Sequence, residues 1–230
     1  MFQRLVTLFS PADWLALAVF MAGWIGYSWY ADRAARSEFG LRGVTRKLRY
    51  DWAKQMVARE NRIVDGALTG NLMQSVSFYA NTTIYIIAGL IAVAGTLDRL
   101  MSITEDLPFA RVQTREIIEA KLFLLIGIFI FAYFKFTWAL RQYNFLSILI
   151  GSAPDRQAPA DVTEPHVVRF ATVNTLAGDE FNRGIRAYYF GFAALAWFVH
   201  PFVVMSTTVL ILAVLYRRDF LSKTLHALAD

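Results

Sequence analysis

The sequence predicts an all-α protein, an integral membrane bundle of four transmembrane helices with amphipathic cytoplasmic helices, in one membrane domain over residues 1–230. Three observations predict it. Hydrophobic residues make up 57% of the 230 and charged residues only 18%, against about 45–50% and about 25% in soluble domains. The excess falls in long uncharged runs, and about 20 apolar residues carry a helix across a hydrocarbon core of about 30 Å. Tyr and Trp gather at the ends of those runs, where one edge of the ring is apolar and the other forms hydrogen bonds at the membrane interface. This pattern excludes disorder, a nucleic-acid-binding domain and an ordinary cytosolic enzyme.

The first span, residues 14–30, runs from Trp14 to Tyr30 between Asp13 and Asp32. Its apolar part is long and rich in Trp, unlike a cleaved signal peptide. Ser10-Pro11-Ala12-Asp13 before it reads as a helix start, with a capping hydroxyl, proline in the first turn and a carboxylate at the positive end. The second span, 76–97, lies in the uncharged stretch between Asp65 and Asp98. The third, 122–142, is interrupted only by Lys135. Arg186 and Arg217 bracket the fourth, 188–216, which Tyr188 and Tyr189 open and Tyr216 closes.

An even number of spans places both termini on one side. The first and third connections hold fourteen Lys and Arg, against eight, among them Arg4, Arg99 and Arg111, at the termini and in the second connection. Positive charge on the cytoplasmic side then puts the termini outside the cytoplasmic (inner) membrane. Arg217-Arg218 argues the other way.

The connections have character of their own. Over residues 42–68, Val44, Leu48, Trp52 and Met56 recur every four residues, and Ile63 and Ala67 resume the face. Arg46, Lys47, Arg49 and Lys54 fill much of the rest, so this reads as a basic amphipathic helix in the headgroup layer with its cations on anionic lipid. A helix that simply packs under the bundle fits the same pattern. The second connection turns at Glu105-Asp106-Leu107-Pro108, and Glu116 and Glu119 near Arg115 and Lys121 suit a solvated helix face. The third opens with a breaker-rich linker from Gly151 through Pro159 to Pro165 and continues as an amphipathic segment, 165–186, broken at Gly178.

Chemistry is sparse. Cysteine is absent, which removes thiol nucleophiles, disulfides and thiolate metal sites. There is no phosphate-cradling glycine loop, no Gly-x-Ser-x-Gly elbow and no His-Glu-x-x-His. His166, His200 and His226 lie in separate segments, so neither a metal site nor a cofactor is expected. Polar groups within spans carry the functional candidates. Lys135 either snorkels to the interface, pairs with a polar group of the second span, or lines a passage. His200, followed by Pro201, marks a kink or a proton-responsive hinge. Asn81, with Thr82 and Thr83, gives the second span a polar patch. Small-residue ridges, Ala18-Ala22-Gly26 and Ala187-Gly191, indicate close helix packing within one chain or between chains.

Three blocks carry a family resemblance. Arg59-Glu60-Asn61-Arg62-Ile63-Val64-Asp65 leads to Ser77-Phe78-Tyr79-Ala80-Asn81-Thr82-Thr83. Glu119-Ala120-Lys121 precedes Phe131 to Trp138 and Arg141-Gln142-Tyr143-Asn144. Phe181-Asn182-Arg183-Gly184-Ile185-Arg186-Ala187-Tyr188-Tyr189 precedes Trp197, Pro201 and Leu215 to Phe220. Over most of the chain from Arg46 to Leu221 these resemble the bacterial form of the domain of unknown function 599 family. The resemblance implies a multi-span membrane protein and no activity. The expected function is a non-catalytic accessory or scaffold subunit, docking lipid or a partner, in a homo-oligomer or a larger membrane complex. The rival is a homo-oligomeric channel or small-solute conduit lined by Lys135, Asn81 and His200. An intramembrane enzyme acting on lipid ranks last, because no nucleophile and base occur together.

Overall fold

A computed structural model describes residues 9–36, 40–97 and 114–229. Among the described residues there are seven α-helices: α1 (Pro11–Arg36), α2 (Gly40–Ala58), α3 (Ile63–Ala94), α4 (Arg115–Gly151), α5 (Ala160–Ala196), α6 (Pro201–Phe220) and α7 (Lys223–Ala229). Three helices are long and apolar enough to cross a membrane: α3, α4 and the Pro201–Leu228 segment that holds α6. α1 is not among them, because Trp14, Trp24, Tyr27, Trp29 and Tyr30 dilute its apolar content.

α1 starts as the sequence predicts. Ser10 Oγ donates to Asp13 Oδ2 at 2.6 Å, and the Asp13 N–H donates back to Ser10 Oγ at 3.3 Å, which satisfies end groups that have no helical partner. α2 starts at Gly40, whose φ of +78° brings its backbone under the end of α6. A Cβ there would lie 2.9 Å from the Asp219 carbonyl oxygen, so both dihedral and space call for glycine.

Long-range bonds set the directions of the helices. Trp197 Nε1 donates to Asp13 Oδ1 at 3.0 Å, and Lys121 Nζ lies 3.9 Å from the same oxygen. The starts of α1 and α4 therefore share an upper end of the bundle with the end of α5. At the other end of α1, Asp32 meets Arg42 of α2 and Arg183 and Arg186 of α5. Tyr27 donates to Asp219 at the end of α6 at 2.7 Å. Hence α1, α4 and α6 descend while α3 and α5 rise. α4 and α5, 37 residues each, are roughly 55 Å long, well beyond a hydrocarbon core of about 30 Å. α2 lies along the lower half of α5, with Trp52 edge-on to Phe170 at 5.4 Å. Buried Asp65 at the start of α3 accepts from Trp52 Nε1 and Arg59, each at 2.6 Å, and so fastens the far end of α2.

The core is aromatic and notched. Tyr79, Phe136, Phe181 and Tyr188 cluster between α3, α4 and α5 at centroid distances of 5.4–6.1 Å. Gly184 and Gly191 of α5 make room for the rings of Phe136 and Phe129. Trp24 of α1 stacks on Phe190 of α5 at 5.7 Å.

Several expectations need correction. The stretch 188–216 is not one helix: α5 ends at Ala196, a turn follows, and His200 caps α6, so the chain goes up and comes back. Segment 165–186 is not a separate amphipathic helix, because α5 runs unbroken through Gly178. Segment 42–68 divides, with α2 ending at Ala58 and Ile63 opening α3. The Ala18-Ala22-Gly26 ridge faces outward, which leaves of its two readings the packing between chains, and α1 approaches α6 through Gly23 against Thr208 and Leu212. The returning hairpin also puts the carboxyl-terminal α7 beside α2, on the opposite end from α1's start. The expectation of both termini on one side rested on a single helix over 188–216, which the structure divides. Arg217, Arg218 and Lys223 join the lower end, leaving Arg115 and Lys121 as the described Lys and Arg of the upper end. Arg4, Arg99, Arg111 and the Glu105 to Pro108 turn lie outside the described residues.

The absence of native cysteine makes this topology testable in intact cells. Single cysteines replacing Lys47 and Lys223 should react with an impermeant maleimide from the same side, and one replacing Thr114 from the opposite side. Labelling of the Lys223 and Thr114 positions together would contradict the hairpin.

Candidate functional site

The most polar part of the interior is a junction where α1 ends. Asp32 accepts from three guanidinium groups: Arg42 Nη1 at 2.7 Å, Arg186 Nη2 at 2.8 Å and Arg183 Nε at 3.0 Å. Arg42 also reaches Asp179 Oδ1 through Nη2 at 2.6 Å. Arg183 pairs with Glu180, whose other oxygen lies 2.9 Å from Lys135 Nζ. Burial lowers the pKa of Arg42, but the carboxylates of Asp179 and Asp32 outweigh it and leave the group raised. The geometry is an ionic lock between α1, α2 and α5, stronger for each guanidinium that forms charge-assisted bonds.

The candidates from the sequence separate. Lys135 is about a quarter exposed, paired with Glu180 of α5 and lying over Phe131, not bonded to the polar patch of α3. His200 sits at the other end of the bundle, where Nδ1 accepts from the Phe202 N–H at 3.2 Å. That is a helix cap, which explains why histidine precedes Pro201 better than a mid-span kink does. Asn81 is on the exposed face of α3, whereas its neighbour Thr83 is buried and bonded to the Tyr188 hydroxyl at 2.6 Å. No common passage joins the three. Lys121 is also inside: it is 3% exposed and donates to the Trp197 carbonyl at 2.9 Å.

The cationic candidates divide too. Arg46 and Lys47 line a groove of about 530 Å³ between α2 and α5, with Tyr50, Val168, Thr172 and Thr175. Lys54 lies over the Tyr50 ring at 4.6 Å, and Tyr50 donates to Glu164 at 2.5 Å. Arg49, partly exposed, rests its guanidinium against Gly178 of α5. The same glycine that reads as a helix breaker is the notch that admits this guanidinium.

A family model described as "Protein of unknown function, DUF599" matches residues 15–224. The chain belongs to the DUF599 family. No curated protein and no solved structure matches it. The DUF599 match takes in the whole Asp32 junction and the basic groove, and ends within α7. Sequence reasoning missed the junction, though a signal existed. In this DUF599 chain Asp179-Glu180 precede Arg183 and Arg186 at helical spacing, which places both charges on one stripe.

Asp32→Asn should leave three guanidinium groups short of a carboxylate. Removing one partner of a buried ionic cluster costs about 3–5 kcal/mol, and the 22% exposure of the Asp32 side chain sets the expected loss at the low end. Lys135→Met should cost less, about 1 kcal/mol, because Glu180 keeps Arg183 as a partner. Thermal unfolding in detergent reads both, and equal losses would remove Asp32 from the centre of the junction.

Proposed function

We propose that this DUF599 chain is a non-catalytic accessory subunit of the bacterial inner membrane whose cytoplasmic end docks anionic lipid. In this reading α1 is a further crossing. A rise of about 1.5 Å per residue separates Asp13 from Asp32 by roughly 28 Å, close to the thickness of a hydrocarbon core. The upper half of α5 and α6 form the returning hairpin beside it. The lower end faces the cytoplasm, supported by the concentration of Lys and Arg there.

The observation that carries the reading is the groove between α2 and α5. Arg46 and Lys47 stand at its rim, while Val168, Ala171 and Leu176 form apolar wall and Thr172 and Thr175 offer hydroxyls. Cations above an apolar floor suit a phospholipid: charge for the phosphate, carbon surface for the first methylenes. Association with other copies or subunits belongs to the same proposal. Exposed apolar side chains along α4, Phe123, Phe134 and Phe145 among them, offer surface to lipid or to a neighbouring subunit.

The test uses the full chain in nanodiscs of phosphatidylglycerol and phosphatidylcholine, followed by native mass spectrometry of the lipid retained. The wild type should retain phosphatidylglycerol preferentially. Arg46→Gln with Lys47→Gln should cut that preference about 10- to 30-fold, since each cation near an anionic surface contributes about 1 kcal/mol. Equal retention by wild type and variant would sink the reading.

A further inference from the structure

We propose that the seam between α2, α4 and α5 binds a small oxyanion of the phosphate class, held by the Arg49 guanidinium with the Tyr143 hydroxyl and the Asn174 amide. The inference is independent of the lipid groove between α2 and α5, which is lined by other residues.

Arg49 is the cation that the ionic junction leaves over. Arg42, Arg183, Arg186 and Lys135 each sit on a carboxylate oxygen of Asp32, Asp179 or Glu180. Arg49 has no hydrogen bond or ion pair among the described residues. The carboxylate within its electrostatic reach, Asp179, gives its Oδ1 to two nitrogens of Arg42. Burial lowers the Arg49 pKa, yet guanidinium remains a cation at any physiological pH. Arg49 is partly exposed, so its guanidinium keeps N–H donors open to a ligand from outside the chain.

Its neighbours are donors as well. Asn174 is 1% exposed, and its Nδ2 is buried with no partner. It lies one turn before Gly178 on α5, and residues four apart share a helix face. Gly178 is where the Arg49 guanidinium rests, since a Cβ there would collide with it. Tyr143 of α4 is 3% exposed and within electrostatic reach of Arg49, and its hydroxyl has no hydrogen-bond partner among the described residues. A fork of N–H groups, a phenol and an amide N–H converge from three helices. Guanidinium and phosphate match as planar fork and paired oxygens, and the remaining oxygens of a phosphate accept from the phenol and the amide.

The experiment titrates delipidated protein in detergent with sodium phosphate against sodium chloride at equal ionic strength, reading bound phosphate by phosphorus NMR and the melting temperature alongside. Wild type should bind saturably and be stabilised. Arg49→Met should weaken binding at least 10-fold, and Gly178→Ala should do the same by evicting the guanidinium. Arg46→Gln with Lys47→Gln should leave phosphate binding unchanged, so failure of the lipid reading does not touch this one. Arg49→Lys, which keeps charge but loses the fork, serves if Arg49→Met does not fold, and should bind more weakly than wild type. A second arm mixes the protein with vesicles of phosphatidic acid and phosphatidylcholine. Arg49-dependent capture of phosphatidic acid without binding of inorganic phosphate would assign the oxyanion to a lipid headgroup. No binding in either arm, or binding indifferent to Arg49, overturns the proposal.

Discussion

One carboxylate, Asp32, holds the end of α1, the start of α2 and the interior of α5 together. It stands just past the apolar run of α1 and gathers guanidinium groups from α2 and α5. Three cations brought this close repel one another, so the arrangement exists only around shared carboxylates, with Asp179 and Glu180 completing the lattice. Its counterpart lies at the other end of α1, where Asp13 meets Trp197 and Lys121. α1 is thus fixed to α5 at both ends by polar contacts, and between them by Phe20 and Trp24 against Phe190. The first anchor sets where α2 begins; the second sets where α5 must turn back.

Between these two polar layers the packing is carried by rings entering glycine notches. An aromatic side chain fills a helix interface that aliphatic residues would leave loose, and glycine opposite it lets the backbones stay close. Gly184 with Phe136 and Gly191 with Phe129 follow this pattern. Where no neighbour exists, the apolar side chains of α4 and α6 point outward: Phe123, Phe134, Phe202 and Leu210 are all well exposed. In water such surface would drive association, whereas beside acyl chains it is ordinary.

Polar satisfaction divides the lower half of the molecule into two regions. Around Asp32, charge meets charge within about 3 Å, a distance at which attraction offsets desolvation. Further along α2, Arg49 makes no hydrogen bond among the described residues, while Asn174 Nδ2 of α5 is buried without a partner. Buried donors normally find partners, and Arg186 Nε in the junction and Asn174 Nδ2 in the seam are both buried without one. The outer face of α2 repeats the theme at the surface, with Arg46 and Lys47 open to a diffuse anionic layer.

Composition and periodicity were enough to show an all-helical bundle with apolar spans, because the apolar excess and the uncharged runs are one-dimensional properties. The Ser10 to Asp13 start was legible for the same reason: its bonds span three residues. The turn at residues 197–200 was hidden, since apolar side chains continue on both sides of it and only His200 and Pro201 mark the change. Missing that turn joined residues 188–216 into one helix. The partner of Lys135 was equally invisible, as Glu180 lies far along the chain, and so was the difference between Arg49, set against Gly178, and Arg46, three residues away at the groove. Local order and affinity for an apolar solvent were thus written in the sequence. Pairing of charges, the reversal of the chain and the direction each cation faces arose only when the helices packed, because each depends on what a distant segment places within a few ångströms.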